Sequence, residues 1–168
     1  LLIATGRVPN SDLLQTDKAG IKTDKQGYIE TNEYMETNVP GVWALGDIAG
    51  KYLFKHSANL EAEYVTIAIL TPEHRHPVDY TAMPHAVFSH PQVAGVGATE
   101  QELKDKKADY LVGKYKYSDT GMGEAMAEED GFVRFLVDYE GKILGCHILG
   151  PEASTLIHEV LVSMKAGT

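Results

Sequence analysis

The chain has 168 residues, of which 43% are hydrophobic and 23% charged, the balance of a soluble globular protein of one domain or a little more. No run approaches the roughly 18 apolar residues that a membrane-spanning helix needs, so no membrane association is expected. Lys and Arg total 15 against 24 Asp and Glu, a formal charge of −9, and the basic residues form no stripe able to neutralise a phosphate backbone, so no nucleic-acid partner is expected. The single cysteine, Cys146, excludes an internal disulfide, a CxxC zinc site and a redox-active cysteine pair within these residues.

In chain order, Leu1 to Thr5 reads as a buried strand, Gly6-Arg7-Val8-Pro9-Asn10 as a turn, and Ser11 to Leu14 as a single helical turn. Alternation predicts a short strand over Gly27–Thr31, and the turn Asn38-Val39-Pro40-Gly41 precedes a second apolar run, Val42–Leu45, ended by Gly46-Asp47. Between His56 and Leu70, residues such as Leu60, Tyr64 and Ile67 recur at helical spacing and predict a helix of about fifteen residues. The two prolines of Thr71–Pro77 mark a linker, with a domain boundary close to residue 75.

Beyond the linker, Ala86–Phe88 and Val93–Val96 read as short strands. Thr99-Glu100-Gln101-Glu102 has the spacing of a capping box and so starts a helix. Strands follow over Tyr110–Tyr117, Phe132–Val137 and Ile143–Leu149, the last two joined as a hairpin through Asp138–Lys142. A final helix after Gly150-Pro151 carries Leu156, Ile157, Val160, Leu161 and Met164 on one face. Hairpin-linked strands with helices outside them describe an antiparallel α+β domain.

Two stretches carry chemistry. A strand ending in Gly6 and Arg7 would let a ligand approach backbone without a Cβ while the guanidinium meets a phosphate or carboxylate; on spacing alone, a turn with a solvated arginine is the better reading. Asp47 follows Gly46 at the carboxyl end of an apolar run, where a carboxylate can accept hydrogen bonds from ligand hydroxyls; taken in isolation, an aspartate capping a turn is again preferred.

The order Ala4-Thr5-Gly6-Arg7-x-Pro9-Asn10, Asn38-x-Pro40-Gly41-x-x-Ala44-x-Gly46-Asp47, Leu53-x-x-His56 and His90-Pro91-Gln92-Val93-Ala94-x-Val96-Gly97 resembles the carboxyl-terminal part of the flavin-dependent pyridine nucleotide-disulfide oxidoreductases. The likeness spans essentially all 168 residues. It is of the dihydrolipoamide dehydrogenase type, and Lys55–Ala62 and Ser118–Met126 also look like mycothione reductase.

The resemblance implies two cofactors, FAD and NAD(P). Gly6, with Arg7 beside it, matches the glycine close to the nicotinamide dinucleotide. Asp47 matches the aspartate that hydrogen-bonds the flavin's ribityl and phosphate region, with Gly46 allowing close approach. The backbone N–H of Lys55, next to His56, matches a flavin contact at a helix start. Residues 1–77 would then be part of an FAD-binding domain, with the end of the NAD domain at 1–10. Residues 78–168 would be the interface domain through which a homodimer forms.

The family's Gly-rich fingerprints, its Cys-x4-Cys pair and its His-x-x-Pro-Thr-x-x-Glu segment do not occur in these residues. No catalytic residue is therefore assigned. His158-Glu159 is not the family's dyad, because adjacent helix positions point about 100° apart. His74 and His76 lie in a linker without a third ligand, so no metal site is expected. His85 and His90 read as packing or interface residues, and Cys146 as a small buried side chain.

The functional expectation is a fragment of an enzyme that moves electrons between a small dithiol or disulfide and NAD(P) through FAD, cytoplasmic, cut at both ends and inactive alone. The alternatives are an isolated dimerisation module and a standalone small-molecule-binding domain.

Overall fold

A computed structural model describes residues 1–167, which divide into two compact units, Leu1–Asp79 and the residues from Tyr80 onward.

The first unit has one long helix, α1 (Lys55–Leu70), and short 3₁₀ turns at Ser11–Leu14, Thr16–Ala19, Gly46–Ala49 and Pro72–His74. The strands expected in it do not form. Leu1, Leu2 and Ile3 are exposed rather than buried, because no described strand of this unit lies beside them to complete a ladder or cover their side chains. Over Gly27–Thr31 and Val42–Leu45 the pairing is limited to isolated bridges, Thr23 with Ile29 and Glu36 with Trp43.

Backbone–backbone turn bonds such as Glu30 N–H to Lys22 O and Ala44 N–H to Met35 O are supplemented here by side-chain acceptors. Asp24 Oδ1 accepts from the amides of Gln26 and Tyr28 at 2.8 and 3.0 Å, and Asn32 Oδ1 from those of Tyr34 and Glu36 at 2.9 and 3.0 Å. These turns, built on short polar side chains, replace a sheet. Ile29, Met35, Ala44 and Ala49 are buried in this unit, as are Val65 and Ala68 of α1. The buried stripe of α1 is Ser57, Glu61, Val65 and Ala68, so Ile67 and Ile69, which share the helical spacing, face outward.

The second unit is built on a five-stranded antiparallel sheet. Its strands β1 (His85–Val87), β2 (Gln92–Gly97), β3 (Leu111–Lys116), β4 (Phe132–Val137) and β5 (Ile143–Gly150) lie in the order β1-β2-β5-β4-β3. Register places Ala86, Ala94, Ile148 and Val133 in one cross-strand row and Val96, Cys146 and Phe135 in the next. These rows form the core face, packed with Ala153, Ile157 and Val160 of α4 (Ala153–Lys165), and with Leu161 and Met164 partly buried beside them. The antiparallel α+β architecture expected for this half is present.

Gln92 accepts from the backbone N–H and the hydroxyl of Ser154 at 3.1 and 2.9 Å, tying the start of α4 to β2. The capping box forms as its spacing requires: Thr99 Oγ1 accepts from the Glu102 amide, and Glu102 Oε2 accepts from the Thr99 amide at 2.7 Å, at the head of α2 (Glu100–Asp105). Arg134 of β4 pairs with Glu100, which also holds Lys104 at 2.9 Å. Two short elements went unanticipated, a 3₁₀ turn at Tyr117–Asp119 and α3 (Gly121–Ala125), the latter capped by Thr120. At three and five residues they are too short to show a periodic pattern.

Two outcomes follow from this packing. The Glu102 carboxyl lies below its ordinary value, chiefly through the Thr99 amide it accepts from. A depressed folded value stabilises above the unfolded value of 4.5 and is lost as pH falls through the folded one. Glu102→Gln is therefore less stable than wild type at neutral pH, and urea unfolding repeated at about pH 3 shows the gap closing. Cys146 is completely buried, and burial pushes its thiol up to about 12. A thiol-disulfide reagent leaves the native chain unlabelled and reacts once urea unfolds it; rapid labelling of the native chain contradicts the assignment.

Candidate functional site

The residues singled out in the first unit converge on one turn. Arg7 Nη1 donates to Asp47 Oδ2 at 3.1 Å and to the Leu53 carbonyl at 2.6 Å, linking three segments distant in sequence. Arg7 and Asp47 line one cavity of about 300 Å³ together with Pro9, Tyr28, Ile48 and Leu53. Tyr28 approaches from the side, its hydroxyl donating to the Arg7 carbonyl at 3.5 Å.

Asp47 reaches this cavity from the Gly46–Ala49 turn. Leu45 is extended at φ −144°, and Gly46 turns into the left-handed region at φ +73°, a conformation that favours glycine. A Cβ on Gly46 would lie 3.3 Å from the Ala58 methyl, so the turn also sits close against α1. The Gly46 N–H donates to Glu61 Oε2 at 2.5 Å, and Glu61 is wholly removed from solvent. Behind the turn, the Ile29 amide donates to the Ile48 carbonyl at 2.9 Å. Gly50 ends it, and a Cβ there would fall 2.6 Å from the Tyr28 ring. Ser57, also fully buried, donates to the Phe54 carbonyl at 2.7 Å and so ties down the first turn of α1.

The other expected cofactor contacts lie around the cavity rather than in its wall. Gly6 precedes Arg7 with open space where a Cβ would be. Lys55 and His56 open α1 two residues after Leu53, and the His56 ring stacks on Phe54 at 5.3 Å between centroids. Tyr28, Leu53 and Glu61 were not assigned to the site from the sequence, although Leu53 opens the Leu53-x-x-His56 motif. The first two come from turns that no periodicity marks. Glu61 stands four residues from both Ser57 and Val65, a spacing that puts the three on one helix face.

The Arg7 and Asp47 side chains are 53% and 58% exposed. One cation and one carboxylate thus stand side by side at an open mouth, with unused donors on the guanidinium and spare acceptor sites on the carboxylate. This pairing suits a ligand that brings both hydroxyls and phosphoryl oxygens. Among the described residues no group of three or more His, Cys, Asp or Glu side chains could hold a metal ion, and no helix is long and apolar enough to cross a membrane.

Two family descriptions match the chain: "Pyridine nucleotide-disulphide oxidoreductase" over residues 1–70 and "Pyridine nucleotide-disulphide oxidoreductase, dimerisation domain" over residues 83–168. Dihydrolipoyl dehydrogenase of Cupriavidus necator is 37% identical over 166 residues, covering 98% of this chain and 35% of that protein. Mycothione reductase of Mycobacterium tuberculosis is 38% identical over 178 residues, covering 99% and 37%. Among solved structures, the HOCl-induced flavoprotein disulfide reductase RclA of Escherichia coli matches with a TM-score of 0.85 at 27% identity, over 99% of this chain and 39% of that one. The chain spans about a third of the length of the curated relatives it matches. Two matched segments in family order, together reaching almost end to end, place the chain in the pyridine nucleotide-disulphide oxidoreductase family.

Proposed function

We propose that this chain supplies part of the flavin wall and the dimer-forming half of an FAD-dependent NAD(P)-disulfide oxidoreductase of the dihydrolipoamide dehydrogenase type. The observation that carries this reading is the Arg7–Asp47 pair at the mouth of its cavity, set on a turn that glycine lets pack against α1. The residues fit part of a flavin dinucleotide. Asp47 can accept from the hydroxyls of a ribityl chain and Arg7 can meet the phosphates, while the missing Gly46 side chain lets the turn pack against Ala58 of α1. When bound, FAD would supply the relay for an electron pair between a dithiol and a nicotinamide cofactor.

The chain's own residues bind and orient in this scheme. Asp47 fixes the polar chain of the ligand, and Arg7 balances its charge. Thiol chemistry is not assigned to the chain, because its one cysteine is buried and held in the thiol form. The substrate we assign to the parent enzyme is a small disulfide or dithiol, and a cytoplasmic location belongs to the same proposal.

The second unit favours a companion reading as a self-association module, the only activity left should the first unit bind no flavin. All six residues of edge strand β3 are exposed, and Tyr115, Met122, Met126, Val133 and Leu156 line an apolar cavity of about 450 Å³ beside it. A sheet edge and an apolar surface left uncovered are what a second copy would cover.

Three measurements test these readings. FAD titration of the chain gives saturable binding, and Asp47→Asn weakens it about tenfold, as expected for loss of a charged hydrogen bond. Equal affinity in the variant sinks the flavin assignment. With NADH and lipoamide the isolated chain shows no turnover, and FAD-dependent turnover would contradict the fragment reading. Light scattering gives the mass of a dimer, whereas a monodisperse monomer at high concentration counts against residues 78–168 as the interface.

A further inference from the structure

Glu61 is a fully buried acidic side chain in the first unit. It occupies the buried stripe of α1 between Ser57 and Val65, where an apolar side chain would avoid the cost of taking a carboxylate out of water. Its Oε2 is 2.5 Å from the Gly46 amide, a short charge-assisted hydrogen bond. The residue that follows this amide is Asp47, whose side chain lies at the mouth of the cavity. One helical turn earlier, Ala58 presents only a methyl to the Gly46 backbone, leaving room for the turn to approach. Helix α1 thus offers the turn a small surface and one strong acceptor, three residues apart on neighbouring faces.

We propose that Glu61 is a positioning residue. By holding the Gly46 N–H it fixes the left-handed turn from which Asp47 extends, and it thereby sets the affinity of the chain for the hydroxylated chain of FAD. This rests on the flavin reading of the Arg7–Asp47 site. It goes further by naming a residue outside the cavity wall that acts on Asp47 through the Gly46 backbone amide. Gly46 can reach many other backbone conformations once the bond is gone, since glycine is unrestrained by a Cβ. The carboxylate therefore supplies a restraint that the residue itself lacks.

A purely structural role for Glu61 and a positioning role predict different couplings. The test uses the full chain with FAD as the probe, in wild type, Glu61→Gln, Glu61→Leu, Asp47→Asn and the Glu61→Leu/Asp47→Asn double variant. Thermal unfolding confirms that each variant folds. Glu61→Gln keeps an acceptor of the same reach and stays within about threefold of the wild-type dissociation constant, while Glu61→Leu binds about tenfold more weakly. Asp47→Asn costs about tenfold in the wild-type background and almost nothing beside Glu61→Leu, because the two act in one chain of contacts.

By NMR, the Gly46 amide proton moves upfield in Glu61→Leu and the Asp47 side-chain carboxyl carbon shifts with it. Wild-type affinity in Glu61→Leu, independent losses in the double variant, or an unmoved Asp47 resonance overturns the proposal. If Glu61→Leu does not fold, Glu61→Asp, one methylene shorter, is read against the same outcomes. If the wild-type chain binds no FAD, the flavin reading fails by itself, and the Asp47 resonance still decides whether Glu61 positions that side chain.

Discussion

Every backbone N–H withdrawn from water needs an acceptor, and the two units of this chain meet that requirement with different structures, ladders in one and turns in the other. In the second, sheet ladders supply most acceptors, so the positions of β1 to β5 follow from register and core packing. In the first, turn carbonyls supply most of them and side chains supplement these: Asp24, Asn32 and Glu61 each accept from backbone amides. A ladder spreads the restraint over many bonds. A turn has few such bonds: the Gly46–Ala49 turn is held by Glu61 at the Gly46 amide, by the Ile29 amide at the Ile48 carbonyl and by Arg7 at the Asp47 carboxylate.

This difference explains where function can sit. Ligand contacts on turns rely on backbone that has no regular partner, so the turns themselves must be fixed by something outside them. Here that support comes from α1 behind the turn and from Arg7, whose guanidinium bridges Asp47 and the Leu53 carbonyl in front of it. The second unit lines its cavity chiefly with Tyr115, Met122, Met126, Val133 and Leu156, and places Lys116, Thr120 and Glu152 beside them. Its β3 edge and the methionines of and beside α3 offer apolar contact instead, the chemistry of association rather than of cofactor recognition.

The same contrast decided what could be read from the sequence. Alternation over Phe132–Val137 and Ile143–Leu149, the Thr99 capping box and the apolar face of α4 are local signals, and each corresponds to an element within a residue or two. The first unit was misread where apolar runs stood in for strands. Leu1 to Thr5 has strand composition, but pairing depends on a neighbour and not on composition. Helix α1 was legible as a helix, whereas its buried face was not, because two of the four buried positions are Ser57 and Glu61, which a search for apolar periodicity passes over. Gly6, Arg7, Gly46 and Asp47 stand out through ordered motifs, and the ion pair that joins Arg7 to Asp47 spans forty residues, beyond any local pattern.

The two interactions of the Asp47 turn differ in kind, and the difference bears on binding. Arg7 and Asp47 are more than half exposed, and a pair so placed contributes on the order of 0–1 kcal/mol after solvent screening. It can exchange partners at little cost, so an incoming hydroxyl or phosphoryl oxygen competes with water-screened contacts rather than with a strong bond. The Glu61 bond lies in the protein interior, where losing the acceptor would leave an amide unsatisfied at a cost of about 1–3 kcal/mol. The turn is therefore rigid on the side that faces α1 and exchangeable on the side that faces the cavity. In the flavin site we propose, a ligand at the mouth would replace the Arg7–Asp47 contact without disturbing the backbone that presents Asp47, and that separation would let one turn be both a scaffold and a binding surface.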